Sequence, residues 1–436
     1  MSVNSISLIS GPTPVVIVVL GLGATLLSFR WKGGVWKQQL LYGLPITLAL
    51  VGLTALLVDG LALIPYQFPN SYYLWVGLVM LALVVGVIGW TRFRNWRRLV
   101  SVLSIVLTAA MAGTLINKQY QYYPTVGSLF GVDAQNQVSL KQLEGIRAKA
   151  RADNGGALPT HGFTIEIPIA GKKSHFVGRD AFVWVPPIWV ADEKVKLPVI
   201  VLLAGIPGQP SDWTRASMAD VTARAFADAH HGMAPIIVMP DENGSFTNDT
   251  ECTNSPRGQA ETYITEDVPD FMRTHFNASK SKGSLAIAGL SEGGMCSLML
   301  TLRHPDEFVA FGDYSGLTSP TVEEGVDPAA TIPVLFGGSQ TAYNQHDPLY
   351  LLRNQRFPNS AGWFEVGTND HAPLEAQRTL VSLSRSAGIL TCSQEVQGEG
   401  HTFTLWEDAF RDSLPFLSWR LGLTPNPGAG QATCSG

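Results

Sequence analysis

A serine set among glycines is the first place in this chain where chemistry can be read. Ser291 sits in Gly289-Leu290-Ser291-Glu292-Gly293, between an apolar run at 285–289 and a stretch of helical spacing that reaches about residue 303. Strand, Gly-x-Ser-x-Gly turn and helix in that order make a nucleophile elbow, whose neighbours at −2 and +2 must be small. A serine hydroxyl needs a base, and the base needs an orienting acid. The downstream histidines are His304, His346, His371 and His401. His304 ends the elbow helix, roughly 20 Å from Ser291 by helical rise, and is out of reach. His401 lies in a Gly-Glu-Gly-His loop before the last helical stretch, where the chain order Ser, Asp/Glu, His puts the base. His371 is the rival, but it directly follows the best acid, Asp370, at the end of the strand-like WFEVG. Glu375, in the helix that follows, is the alternative acid.

A tetrahedral intermediate also needs N–H donors. AGIPG at 204–208 follows an apolar strand run, and Pro207 has no N–H, which favours Ile206 as one donor. The other is the N–H of Glu292, at the start of the elbow helix. The Glu292 carboxylate is expected to point outward, where it complements the helix N-terminus; turned inward it would repel an oxyanion. Nothing in this set requires a metal or a cofactor.

The elements that position these groups follow from periodicity. Runs at 198–204, 235–240 and 285–289 are continuously apolar, the mark of strands buried on both faces of a parallel sheet. FTIEIPI and AFVWVP alternate and form an expected antiparallel pair, while FVAFGDYSG and WFEVG read as further strands. Helical spacing recurs at 214–229, 372–387 and 403–420, with a short strand near 392–397. Alternating strands and helices predict a doubly wound α/β domain with a mostly parallel sheet, over 161–421. The Pro/Gly-rich tail 422–436 is expected to be disordered, and 118–160 to be a linker with one amphipathic helix near 138–152.

Together, GLSEGG around Ser291, HPDEF after the elbow helix, GTND with Asp370 and GEGHTFTLWEDAF with His401 and Trp406 form a recognisable set. They resemble the esterase branch of the α/β-hydrolases, which includes esterase D-like enzymes and the antigen 85 mycolyltransferases. The resemblance covers 160–420. It implies an α/β-hydrolase fold, nucleophile Ser291, acid Asp370, base His401 and oxyanion donors at Ile206 and Glu292. Two departures stand out. Mycolyltransferases carry an acidic residue before the glycine of the oxyanion loop, where this chain has Ala204. Their acid also usually comes from a helix further on, which keeps Glu375 open. Both favour hydrolysis, or transfer to another acceptor, over transfer of a mycolyl group to trehalose.

The first 117 residues are of another kind. Four apolar segments, about 12–29, 40–64, 72–90 and 99–117, approach or exceed the ~20 residues that cross a bilayer. Residues 1–118 hold 8 of the 30 Lys/Arg and one of the 35 acids, which leaves 22 basic and 34 acidic side chains beyond. That acidic remainder excludes nucleic acid as a partner, because binding it needs a basic surface. Loop 30–39 carries Arg30, Lys32 and Lys37 and loop 91–98 carries four arginines, whereas the N-terminal tail and loop 65–71 carry none. By the positive-inside rule the basic loops face the cytoplasm, and the N-terminus and everything after 117 lie outside. All four cysteines fall in that outer part, so two disulfides are permitted, in one of three pairings. Cys296 lies on the elbow helix and Cys252 in a long loop expected to overhang the site, while Cys392 precedes the His401 loop and Cys434 sits in a tail with no other reason for one, which favours Cys252–Cys296 and Cys392–Cys434.

The expectation is therefore a multi-pass cell-membrane protein with an extracytoplasmic serine esterase that acts on an acyl ester of a lipid or envelope component. An acyltransferase using the same three residues is the alternative, and a non-catalytic scaffold on a hydrolase fold is a second. A reporter enzyme that works only outside the membrane, fused after residue 160, is expected to be active, and a cytosol-only reporter at that point silent. The opposite pattern would invert the topology.

Overall fold

The computed structural model describes the chain apart from residues 1–2, 32–33, 61–68, 91–94, 131–135, 153–158, 323–327, 429–431 and 436. It divides into two compact units, Met1–Asp133 and Ala134–Gly436.

In the first unit the apolar segments are helical over Pro12–Ser28, Val35–Ala55, Asn70–Gly89 and Asn95–Tyr120. Val35–Val58, Asn70–Gly89 and Asn95–Tyr120 are long and apolar enough to cross a membrane. Pro12–Ser28 has 17 residues and reaches about 26 Å, slightly less than the ~30 Å of hydrocarbon. Small residues set the helix contacts. A Cβ on Gly21 would collide with Met111, one on Gly86 would crowd Ser101, and Thr25 Oγ1 meets Thr108 Oγ1 at 2.9 Å. Such residues let apolar helices approach where lipid and protein are equally hydrophobic. Residues 61–64 of the expected second span, and parts of both basic loops, lie outside the described residues.

The strands of the second unit are β1 Phe163–Ile167, β2 Ala181–Val185, β3 Val199–Leu203, β4 Ile236–Met239, β5 Asn254–Ser255, β6 Gly258–Gln259, β7 Leu285–Leu290, β8 Phe308–Tyr314, β9 Ala361–Gly367, β10 Leu390–Val396 and β11 Thr433–Ser435. Nine of them form one sheet in the order β1-β2-β4-β3-β7-β8-β9-β10-β11, and β5 and β6 pair separately. Pairing is parallel from β4 through β10, and antiparallel at β1/β2, β2/β4 and β10/β11. The continuously apolar runs become β3, β4 and β7, in which every residue is buried. Helices on both faces explain that pattern, since a strand covered on both sides has no solvent-facing position to make polar. The sheet core runs from Ile165 and Val183 through Val201 and Ile287 to Phe311 and Phe364.

The ends of this unit are more ordered than a linker and a disordered tail would be, and the expected helix near 138–152 is present as Leu140–Ala152. The segment 118–160 is not a free linker: the fourth membrane-type helix continues to Tyr120, and residues from 134 onward belong to the second unit. The amphipathic helix Leu140–Ala152 docks there, with Leu143 1% exposed in the core and Arg147 stacked 3.6 Å over the Trp189 ring. Its apolar face, with Leu143, Ile146 and Ala150 at helical spacing, had to be covered by something. The tail is not wholly disordered either. Thr433–Ser435 pairs with β10 as an edge strand, and a disulfide joins Cys434 to Cys392 opposite it. The second disulfide joins Cys252 to Cys296.

Leu143→Ala is expected to lower the stability of the second unit by about 2–5 kcal/mol, as for other buried leucines. Thermal unfolding of the detergent-purified chain checks this; an unchanged transition would mean that the helix does not contribute to the core.

Candidate active site

Ser291 follows β7 and opens the helix Glu292–Arg303, with φ 55° and ψ −121°. A positive φ is strained for a residue with a Cβ, so the surroundings must hold it. The Ser291 N–H donates to the Tyr314 carbonyl at 2.8 Å, which ties the turn to β8. The glycines supply clearance. A Cβ on Gly289 would strike the Gly293 backbone, one on Gly293 the carbonyls of Leu203 and Ala204, and one on Gly294 the Asp313 carboxylate. β7, β3 and the elbow helix therefore approach more closely than side chains would allow.

Two loops deliver the other groups. Asp370 follows β9 at the start of the helix His371–Ser386, and His401 lies between β10 and the helix Phe403–Arg420. β9 and β10 are parallel neighbours, so their carboxyl ends emerge side by side. A clasp joins the loops: the Thr368 N–H donates to the Val396 carbonyl at 3.0 Å and the Asn369 N–H to the Glu399 carbonyl at 2.8 Å. The Asn369 amide donates to the Gly398 carbonyl at 2.7 Å, and the Gly398 N–H to Thr368 Oγ1 at 2.9 Å. Within that frame His401 Nδ1 lies 2.7 Å from Asp370 Oδ2, and His401 Nε2 lies 3.0 Å from Ser291 Oγ. A carboxylate only accepts, so Nδ1 carries the proton and Nε2 is left to accept from the serine hydroxyl. The Trp406 ring packs edge-on against the imidazole, 4.8 Å between centroids.

The remaining candidates are placed as follows. Ile206 and Glu292 line the cavity that also holds Ser291 and His401. Glu375 is exposed on its helix, and so is His371. His304 and His346 are engaged elsewhere, with their Nε2 atoms 2.7 and 3.0 Å from the two oxygens of Glu261. Arg303 donates to the same carboxylate at 2.7 Å. Burial would raise Glu261, but these partners hold it well below the usual carboxylate range.

The Glu292 side chain does not point outward. It is 8% exposed and accepts from the Asn243 amide at 2.8 Å. It lies among the buried acids of loop 241–259, next to the disulfide Cys252–Cys296. The reason is that Cys296, one helical turn further on, pins this loop against the elbow helix, so the side chain at 292 is covered. Burial, and after it the neighbours Asp249 and Glu242, push the Glu292 carboxyl well above its ordinary value. Glu251 shifts the same way, through burial and then Asp249 and Glu292. Burial and Asp241 push Glu242 up to about 8. Asp241 itself, though buried, is held low by Arg179, which donates to it at 2.8 and 2.7 Å. Nothing in the spacing of DENGSFTNDTECTN revealed this cluster; the run reads as a polar loop, and the disulfide, Arg179 and Asn243 hold it inward.

Comparison with known proteins fits this geometry. A family model described as "Putative esterase" matches residues 178–417. An uncharacterized protein of Corynebacterium glutamicum is 32% identical over 372 residues, covering 82% of this chain and 84% of its own length. The diacylglycerol acyltransferase/mycolyltransferase Ag85A of Mycobacterium leprae is 23% identical, over 67% of this chain and 94% of its own. Among solved structures, a ferulic acid esterase superposes with a TM-score of 0.52 at 20% identity, over 60% of this chain and 98% of its own.

Gly293→Ala is expected to destabilise the second unit by about 1–3 kcal/mol, because the new methyl must displace backbone. Gly400→Ala, where a Cβ meets nothing within 4 Å, should leave the unfolding temperature nearly unchanged. Equal effects in the two variants would contradict the close-approach argument.

Proposed function

The chain belongs to the esterase family, and from that premise we propose a membrane-anchored, extracytoplasmic serine esterase that acts on an acyl ester of a lipid or cell-envelope component. The observation that carries this reading is the hydrogen-bonded line from Asp370 through His401 to Ser291. His401 Nε2 takes the hydroxyl proton as Ser291 Oγ attacks the acyl carbon. The N–H groups of Ile206 and Glu292 then face the developing oxyanion. His401 returns the proton to the departing alcohol, leaving an acyl-Ser291 ester. Water, activated by the same imidazole, releases the acid. Asp370 fixes the tautomer and stabilises the transient imidazolium.

Support for the anchor comes from three helices among the described residues that are long and apolar enough to cross a membrane, and for the orientation from the arginines and lysines of the two short loops. The disulfides agree with an oxidising compartment. A lipid substrate is the economical reason to join a hydrolase to a bilayer anchor, because the anchor holds the site near it. The second reading is an acyltransferase, in which a sugar or lipid hydroxyl replaces water. Its support is the likeness to a protein named diacylglycerol acyltransferase/mycolyltransferase. A non-catalytic scaffold is disfavoured by the hydrogen-bonded set, which a scaffold has no reason to keep aligned.

A fluorophosphonate probe is expected to label the wild-type chain and to leave Ser291→Ala unlabelled. His401→Ala and Asp370→Asn should slow labelling by about 10²–10⁴-fold, the usual worth of a positioned base, while the exposed Glu375→Gln should react at the wild-type rate. Failure of the wild type to label would sink the enzyme reading. Incubation with envelope lipid extract separates the two activities, by free acid against a new ester.

A further inference from the structure

We propose that Asp249, Glu251 and Glu292 bind a divalent cation, calcium by the chemistry of its donors, in the wall of the cavity beside Ser291. One donor oxygen from each of the three lies within 4.8 Å of the other two. Opposite oxygens around a calcium ion at about 2.4 Å stand about 4.8 Å apart, so this spacing is compatible with one shared ion. All three are buried, at 0%, 4% and 8% exposure. Arg257, 3.9 Å from Asp249, offsets part of their charge. Carboxylates gathered in a buried site must be paired, protonated or bound to a metal.

Two further observations point to a ligand rather than to charge sharing alone. Oε1 of Glu292 is buried with no hydrogen-bond partner, while Oε2 is held by Asn243. Ser315, outside the acidic loop and 3% exposed, also has an unpartnered Oγ, and it lines the same cavity as Glu251 and Glu292. The cavity they line has a volume of about 30 Å³, enough for an ion or a water. The donor set selects the ion. It is all oxygen, which suits a hard cation, and the nearby Cys252 and Cys296 are joined in a disulfide and offer no thiolate for zinc. Magnesium keeps much of its water shell and suits a three-carboxylate buried site less well.

Such an ion would be structural. It would fasten loop 241–259 to the start of the elbow helix and neutralise charge next to the oxyanion donors. This departs from the expectation that the site needs no metal, and its test does not depend on the esterase reading. The full chain, purified in detergent and stripped with EDTA, is titrated with calcium; bound metal is measured by equilibrium dialysis and thermal unfolding is followed in parallel. One calcium per chain, with a raised unfolding temperature and at least tenfold preference over magnesium, is the expected result. Glu292→Gln, which retains an acceptor for Asn243, and Glu251→Gln should each weaken binding at least tenfold. Glu242→Gln, a buried acid outside the set, should bind as wild type. No stoichiometric binding by the wild type at millimolar calcium overturns the proposal, whether or not any variant folds. Undiminished binding by folded Glu251→Gln and Glu292→Gln overturns it as well, and assigns the metal to a surface site.

Discussion

Ser291 adopts a backbone conformation that costs a residue with a side chain about 1–3 kcal/mol, and much of the second unit is arranged to hold it there. The N–H of the serine is tied to β8 and its flanking glycines let β3, β7 and the elbow helix close around it. The reward is placement. A side chain on a sharp turn between strand and helix stands clear of both, at the carboxyl edge of a parallel sheet, where open α/β folds gather their ligands. Gly205 reinforces the position from the far side, since a Cβ there would lie 3.0 Å from that of Ser291.

Strand order does the rest. β7 carries the serine, while the neighbouring pair β9 and β10 carries the acid and the histidine, with β8 between them. A parallel sheet points all of these ends the same way, so three residues separated by as many as 110 positions meet within hydrogen-bonding distance. Loops alone would not hold them to that tolerance. The clasp between Thr368–Asn369 and Gly398–Glu399 converts two flexible connections into one support, and a Cβ on Gly367 would break it by colliding with Glu399.

The second unit holds several buried acids, dealt with in more than one way. Asp241 is neutralised by Arg179, and Glu261 is surrounded by Arg303, His304 and His346. Glu242 is pushed to about 8 and Asp313 to about 7 by burial, so both can carry a proton near neutrality. Glu251 and Glu292 line the same cavity as Ser291 and His401.

The sequence alone was enough for whatever depends on near neighbours. Gly289, Ser291 and Gly293 are adjacent, and their steric logic is local. The runs that became β3, β4 and β7 carry their burial in their composition, and the apolar helices of the first unit carry theirs in length. Long-range pairing decided what composition could not. Asp370 rather than Glu375 lies against His401, because Asp370 stands three residues past the end of β9, beside the end of β10, while Glu375 is exposed on the helix that follows. Glu292 is covered by a distant loop, which a disulfide and the Asn243 amide hold against the elbow helix. The tail gains a strand only because β10 offers an unpaired edge. A side chain's direction is set by what covers it, and in this chain the cover comes from segments more than forty residues away.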